Sequence, residues 1–233
     1  MKLIRKILLL CAMAAISSCG ELFEFETDKP MPDGLTISHH EIDLHVGDFI
    51  DFETTLNPDS IVASYYWTVK GDEEAVELTG RRLRAVKPGR ALVVVEAQSL
   101  NIDNTVEVAA DSCYVNVFEW VECEPGEFLY ETVLYSSLVV DGIQMTDSLG
   151  GTRLVAVVDG EVRAEAEMRE EHDIPYLQMR IKGNWPGEKA SIECYVPNKY
   201  ERFVFESLEL DGGTYGTLSD LKRYRGKSRN YGK

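Results

Sequence analysis

The feature that most constrains this 233-residue chain is a succession of short segments in which apolar and polar residues alternate. In segment 41–46, apolar residues occupy every second position, which is the period of a strand with one buried face. Turn-forming pairs such as Gly47-Asp48 and Asn57-Pro58 separate these segments. Short strands at near-regular spacing predict an all-β protein, and the chain length suggests two tandem β-sandwich domains.

The second half of the chain, residues 119–221, repeats this design with Asp-Gly turns at 141–142 and 159–160. Asp-Gly between apolar runs is the strongest local hairpin signal, because the tight turn needs a positive φ at both central residues. Segment 161–171 is rich in residues that favour helices. Its apolar positions nevertheless recur every second residue, so we predict a strand there.

The charge of the chain limits its partners. Forty acidic and 24 basic residues give a net charge of −16, which argues against binding to duplex nucleic acid, because phosphate neutralisation needs a basic surface. The last twelve residues, 222–233, hold six bases and no acid. We predict that they form a solvated, disordered basic tail. The alternative is a tail that contacts an acidic glycan or lipid phosphate.

The N-terminus has the pattern of an export signal. Lys2, Arg5 and Lys6 form a positive region, and the apolar run 7–16 that follows is too short to span a bilayer. We therefore predict that residues 1–18 are a signal peptide.

The run 16–20, Ile-Ser-Ser-Cys-Gly, resembles the lipobox of bacterial lipoproteins. The resemblance implies that Cys19 becomes the acylated N-terminus, that residues 19–34 are a lipidated tether, and that the membrane is a partner. Gly20 rather than Asp follows this cysteine, which by the sorting pattern of such proteins implies the outer membrane, at its cell-surface or periplasmic face. The acidic residues over 21–28 resemble surface-export signals, and the alternative is a plain acidic tether.

Residues 35–118 resemble a named family, the bacterial Ig-like domain, group 2. The matching motifs are LHVGD at 44–48, LNP at 56–58, WTV at 67–69, LRAVKPGRA at 83–91 and CYVNV at 113–117. The resemblance implies an Ig-like sandwich used for binding or spacing outside the cytoplasm, with no chemistry of its own. Within it, Trp67 is expected in the core rather than stacked on a carbohydrate.

Residues 150–217, within the predicted second sandwich (119–221), resemble a β-sandwich module of secreted bacterial surface proteins. The match rests on the run LVAVVDGEVRA at 154–164, followed by RIKGN at 180–184. This resemblance implies an Ig-like or jelly-roll-like sandwich and brings no established activity.

Catalytic motifs are absent from the sequence, which has no nucleophile elbow, zincin motif or phosphate-binding loop. A Cys/His nucleophile pair of His172 with Cys123 or Cys194 is chemically allowed, but nothing in the sequence places these residues together. We predict that the protein is not an enzyme and holds no cofactor. Two interpretations of the loop aspartates, such as Asp141 and Asp159, stay open: calcium ligation and turn geometry.

Histidines and cysteines give no metal pattern. His39, Glu41, Asp43 and His45 share one strand face, but the two histidines are about 20 Å apart at ~3.3 Å per residue, so we expect a solvated face instead. The cysteines that remain after Cys19 are spaced unlike a zinc site. A disulfide of the middle cysteine with either of the others and buried unpaired thiols are both open. These three cysteines are Cys113, Cys123 and Cys194.

Trp185 is the candidate ligand-binding residue, because it lies in a loop beside Pro186 and between two glycines. It either stacks on a sugar ring or anchors a partner, or it tucks over the end of the sandwich. The sequence thus predicts a noncatalytic envelope lipoprotein in which an Ig-like spacer displays a module for binding or adhesion. The ligand is a glycan or an envelope or host protein. The alternative is an accessory subunit of an outer-membrane complex.

Overall fold

The computed structural model describes residues 34–100, 106–124, 126, 128–146 and 152–226. Apart from two short 3₁₀ turns, Glu73–Ala75 and Pro197–Lys199, every regular element of these residues is a β-strand. The predicted all-β class is confirmed. Along the same stretches of chain, no helix is long and apolar enough to cross a bilayer.

The first half of the chain builds three sheets around one core. Its strands are β1 (Gly34–Ile37), β2 (Glu41–His45), β3 (Phe49–Asp51), β4 (Thr54–Asn57), β5 (Ser64–Gly71), β6 (Val76–Thr79), β7 (Arg82–Ala85), β8 (Gly89–Leu100) and β9 (Val106–Phe118). They form a four-stranded sheet β2-β9-β8-β5, a three-stranded sheet β3-β7-β6 and the pair β1-β4. Trp67 packs against this core and stacks on Phe52 at 5.8 Å, which confirms its predicted structural role.

The second half builds a sandwich of two larger sheets. Its strands are β10 (Val121–Glu122), β11 (Tyr130–Val140), β12 (Ile143–Gln144), β13 (Arg153–Val158), β14 (Glu161–Ala166), β15 (Met168–Glu171), β16 (Ile174–Gly183), β17 (Glu188–Val196), β18 (Glu201–Leu210), β19 (Thr214–Tyr215) and β20 (Lys222–Gly226). One sheet has the order β10-β14-β13-β17-β18, and the other has the order β12-β11-β16-β15, with β19 and β20 also on β11.

Both Asp-Gly turns form as the sequence predicts. Asp141 and Gly142 have φ values of 53° and 84°, and Asp159 and Gly160 have values of 51° and 87°. These are the left-handed conformations that a two-residue hairpin turn requires, so turn geometry accounts for both aspartates. The segment with strong helix formers is extended, as β14 and β15.

The prediction of a disordered tail over residues 222–233 is wrong for its first five residues. Residues 222–226 are the strand β20, which runs parallel to β11 in the sandwich. Tyr224 is buried, and Gly226 lies so close to the Phe205 ring that a Cβ would be 2.8 Å from it. Two alternating inward positions are thus enough to hold this segment, while its bases point outward. Residues 227–233 lie outside the described residues.

A third cluster of buried residues joins the two halves, and we call it the junction cluster. It consists of Phe118, Trp120, Val155, Val157, Val162 and Tyr195. The first two come from the end of β9 and the residues after it, and the others come from the outer face of the sheet that contains β13 and β17. The predicted boundary between residues 118 and 119 therefore lies inside a packed cluster rather than in an exposed linker.

A buried carboxylate holds the junction cluster together. Glu193 is only 5% exposed and accepts hydrogen bonds from Nε1 of Trp120 at 2.7 Å and from the Arg202 guanidinium at 2.6 and 3.0 Å. The same guanidinium stacks on Phe118 at 4.6 Å. Across the junction, the Tyr195 hydroxyl donates to Asp48 at 2.6 Å. Packing and directional bonds therefore fix the two halves together.

The expectation of a solvated face along residues 39–45 is wrong for three of its members. The His39 ring is half-buried and lies edge-on to the ring of Tyr200 at 5.5 Å. Asp43 is 4% exposed, and its backbone N–H donates to the carbonyl of Tyr200 at 2.8 Å. The His45 ring is half-buried and contacts the ring of Phe118 at 5.3 Å. The alternating pattern was identified correctly, but the second half of the chain covers this face.

We predict that Arg202→Met lowers the free energy of unfolding by about 3 kcal/mol, because it leaves the Glu193 carboxylate buried without its counter-ion. Urea unfolding measures the change. The double variant E193Q/R202M should recover part of the loss, since no charge is then stranded and Trp120 keeps an acceptor.

The matched control is Arg82→Met, which removes the exposed ion pair with Asp51. Exposed pairs contribute little, so this variant should unfold close to the wild type. Equal destabilisation by R202M and R82M would contradict the central role of the buried pair.

Candidate functional site

Trp185 lies at the tip of the loop between β16 and β17 and is 68% exposed. The structure therefore excludes the alternative in which this side chain tucks over the end of the sandwich. Its indole is a free apolar plane at the surface, whereas Trp120 is buried and Trp67 is partly buried against the core of the first half.

The backbone of this loop is held firmly beneath the exposed ring. The Glu188 carboxylate accepts the N–H groups of Asn184 at 2.7 Å and of Trp185 at 3.3 Å. From the other side, the Tyr130 hydroxyl donates to the Trp185 carbonyl. The backbone that carries the indole is therefore held in place, so little entropy is lost in ordering the loop when a ligand binds.

Further apolar side chains surround the loop at this end of the sandwich. Leu129 is 72% exposed, and its N–H donates to the carbonyl of Gly183 at 3.1 Å, which places it beside the loop. The Tyr130 ring covers Gly183 so closely that a Cβ there would be 2.6 Å from it. This end, which we call the Trp185 end, therefore combines a rigid loop with exposed apolar surface.

A groove of about 720 Å³ runs between β14 and β16, along one open edge of the second sandwich. Its lining residues are Arg163, Ala164, Glu165, Ala166, Glu167, Arg169, Gln178, Arg180 and Lys182. A second depression of about 310 Å³ shares four of them and extends toward Phe128 and Cys123. We call the two together the β14–β16 groove, and four of its lining residues are basic.

Sequence reasoning missed this groove. Arg180 and Lys182 alternate on β16, whereas Arg163 and Arg169 lie on two strands of different sheets. The alternation of bases along β16 was the one available signal, but a solvated strand face has the same pattern. The partner strand that turns the pattern into a groove becomes known only from the fold.

The residues considered for nucleophilic chemistry are not assembled into a site. Cys194 lies in the core, and burial raises the pKa of its thiol to about 12. His172 lies at the exposed turn between β15 and β16. Cys123 lines the second, smaller depression of the β14–β16 groove.

Metal and disulfide chemistry have no assembled site either. Where the structure describes the chain, it brings no three His, Cys, Asp or Glu residues together as metal ligands. Cys113, Cys123 and Cys194 are all free thiols. Cys19, the predicted lipid attachment site, lies outside the described residues.

No family model matches the chain, and no curated protein matches it. The two family resemblances noted in the sequence therefore stay predictions.

Several solved structures are similar to the chain at low identity. SGBP-B of the Bacteroides ovatus mixed-linkage glucan utilization locus, in complex with a mixed-linkage heptasaccharide, has 12% identity and a TM-score of 0.25, over 84% of this chain and 48% of that one. Surface layer protein SbsC, domains 4–9, has 9% identity and a TM-score of 0.31, over 82% and 32%. The fibronectin(III)-like modules of Clostridium thermocellum CbhA have 16% identity and a TM-score of 0.29, over 85% and 97%.

The chain thus spans about half of the first of these proteins and a third of the second. At these identities and TM-scores the likeness ends at the all-β class that the fold itself shows.

We predict that the thiols of Cys113 and Cys194 resist alkylation in the folded protein, because burial raises the pKa of each to about 12 and shields its sulfur. Cys123 is half-buried at the rim of the groove and should react. Iodoacetamide labelling at pH 8, read residue by residue by mass spectrometry, measures this.

The internal control for that labelling is the same protein unfolded in guanidinium chloride, in which all three thiols should react. Rapid labelling of Cys194 in the native protein would contradict its burial in the core.

Proposed function

We propose that the protein is a noncatalytic binding module of the bacterial cell envelope and that its second domain binds a glycan through the Trp185 end. The lipid on Cys19 holds it at the outer membrane, and the first domain acts as a spacer. The observation that carries the proposal is the indole of Trp185, which is exposed although its loop is fixed.

Leaving a tryptophan side chain exposed without a binding partner is unfavourable, because its large apolar area stays in contact with water. The flat indole face suits the apolar C–H face of a sugar ring. The carboxylate of Glu188 is already occupied by two backbone N–H groups, so it preorganises the loop rather than contacting the ligand.

A spacer must hold the binding end at a defined position, and the junction cluster supports this role. Three aromatic residues are buried together there, Phe118, Trp120 and Tyr195, and the Glu193–Arg202 ion pair lies against them. The first domain and the sandwich are therefore joined by a packed surface rather than by a loose chain. Such a joint keeps the Trp185 end at a fixed angle to the first domain.

One observation favours the second candidate, an accessory subunit that binds an envelope protein. The far end of the β8–β9 hairpin carries Leu100, Val106 and Val108, each more than half exposed. Leu100 pairs with Val106, and Val108 lies two residues along on the same face. This apolar strip belongs to the first domain and is separate from the Trp185 end.

The test of the proposed function is affinity electrophoresis and titration calorimetry of the full chain, purified in nonionic detergent, against a panel of neutral and acidic polysaccharides. We expect Trp185→Ala to weaken the binding of the ligand it finds by at least about tenfold, since a buried aromatic anchor commonly contributes 1–2 kcal/mol or more. Because Trp185 is the most exposed of the three tryptophans, a bound sugar should also shield its fluorescence from acrylamide quenching.

The matched control is Tyr66→Ala, which removes an exposed aromatic of the first domain. It should bind the same polysaccharide as the wild type does. Unchanged binding by Trp185→Ala would overturn the role of this residue. The accessory-subunit alternative would be favoured by two results together. No polysaccharide binds, and the protein crosslinks to an envelope protein in a way that Val108→Asp abolishes.

A further inference from the structure

The β14–β16 groove is flanked by two strand edges that lack partner strands within the described residues. On its side away from β11, β16 pairs with β15 from Ile174 to Leu177 and then continues alone from Gln178 onward. The outer edge of β14 pairs with β10 at its first two residues and is alone from Arg163 onward. The groove between them thus offers backbone N–H and C=O groups as well as side chains.

The shape of the groove follows from a strand that changes sheets. The chain leaves one sheet at the end of β14 and enters the other as β15, within two residues. This crossover closes one end of the groove. The other end opens beside Phe128 and leads, through Lys182, to the Trp185 loop three residues later, or about 10 Å along an extended chain.

The larger depression of the groove is locally basic in a chain of net charge −16. Arg169 donates to the amide oxygen of Gln178 at 3.0 Å, and Lys182 lies over the Phe128 ring at 5.5 Å. Within the described residues, neither base has a carboxylate partner. A recessed strip of unneutralised bases concentrates an electrostatic field on whatever enters it.

Some of the other charged side chains of the groove are already paired with groups of opposite charge. Arg180 pairs with Glu131 at 3.2 Å on the side of the neighbouring strand. The Glu165 carboxylate is bound by Arg153 at 2.8 Å, and this bond holds its pKa below the usual range. Glu167 is the second acid of the larger depression, where bases outnumber acids four to two. The smaller depression adds two acids, Glu122, which pairs with Arg153 at 2.8 Å, and Glu124.

Arg163 adds a donor that has no acceptor. The register between β13 and β14 shifts at this point, so that Ala156 faces Ala164 and Val157 faces Val162, which leaves Arg163 as the extra residue of a bulge. A bulge redirects its side chain, and here the guanidinium is 10% exposed and lines the groove.

One amino group of this guanidinium pairs with Glu161 at 2.9 Å, and the group lies over Phe128 at 5.1 Å. Its Nε is buried and has no hydrogen-bond partner. A buried donor left unpaired is costly, so the arrangement of this side chain at the floor of the groove is not fully satisfied by the protein itself.

We propose that the β14–β16 groove binds an extended acidic polysaccharide, through the carboxylate or sulfate groups that such a polymer carries. Arg169 and Lys182 contact the anions, and the mostly buried Arg163 adds positive charge at the floor. Sugar hydroxyls suit the unpaired backbone groups of the two edges, and a sugar at the open end reaches Trp185. The inference rests on the proposed function and names the ligand class of that surface.

The shape and charge of the molecule argue against other anions. A lipid bilayer presents its phosphates on a plane and does not enter a cleft between two strands. Duplex nucleic acid is opposed by the acidic body of the protein. An acidic peptide has the right width, but it would leave the aromatic plane of Trp185 without a matching sugar ring.

The test is titration calorimetry of the full chain in nonionic detergent against polygalacturonate and dextran sulfate, with neutral dextran and poly-glutamate as comparisons. Both anionic polysaccharides are used because the shared chemistry is the anion, and their ratio distinguishes carboxylate from sulfate. We expect R169Q/K182Q to bind the preferred one at least about tenfold more weakly, with a smaller dependence on salt, because charge-assisted bonds are lost.

The matched control is K70Q/R84Q, which removes two exposed bases of the first domain and changes the net charge equally. It should bind within about twofold of the wild type, because those bases lie far from the groove. Equal loss in both double variants would show nonspecific charge attraction and overturn the inference. So would unchanged binding by R169Q/K182Q, or binding of poly-glutamate in preference to both polysaccharides.

The inference and the proposed function fail in different ways. If neutral dextran or another neutral glycan binds and Trp185→Ala weakens it, while the anionic polymers do not bind, the groove inference is wrong and the proposed function stands. If an anionic polymer binds and R169Q/K182Q weakens it, while Trp185→Ala does not, the groove stands and the role of Trp185 is wrong.

Discussion

The rest of the structure depends on one buried carboxylate, that of Glu193, at the point where the two halves of the chain meet. A buried charge is tolerated only when it is paired and hydrogen-bonded, and Trp120 and Arg202 meet this requirement together. Trp120 follows β9, whereas Arg202 lies on β18. Satisfying the carboxylate therefore brings the end of the first domain onto the outer face of the second, and a strand face that would otherwise be exposed becomes the floor of the junction cluster.

The same physical rules that close the sandwich leave a charged open edge between β14 and β16. Two sheets must part where a strand crosses from one to the other, and β14 and β15 make that crossing beside β16. Small residues, Ala164 and Ala166, face the core at this point, and the bulge at Arg163 places a guanidinium where an apolar side chain would have filled the gap. The groove thus follows from the crossover and the bulge together, with a charged side chain at its floor.

The sequence predicts the local structure of this protein far better than its long-range contacts. Period-two alternation and the turns at Asp141 and Asp159 are local, so both the all-β class and the hairpins could be predicted. The strand at 222–226 is hard to predict, because six bases in twelve residues are typical of a disordered tail, and only Tyr224 and Gly226 mark the alternation of a strand. The covered face of β2 and the groove could not be predicted, because each is made by strands distant in the sequence. Trp185 could be singled out from its loop, but its rigid support by Tyr130 comes from 55 residues away.

A strongly acidic protein and a groove for an acidic polymer are compatible because of the range of electrostatic forces. At physiological ionic strength the screening length is about 8 Å, so exposed acids farther than this from the groove repel its contents weakly. Charges in a recessed site are screened less, because low-dielectric walls replace part of the water. In the proposed complex the binding free energy is set by the bases that contact the polymer, and the acidic body disfavours binding of polyanions elsewhere on the protein. Specificity for the groove then has two sources: its bases attract the polyanion, and the acidic surface elsewhere repels it.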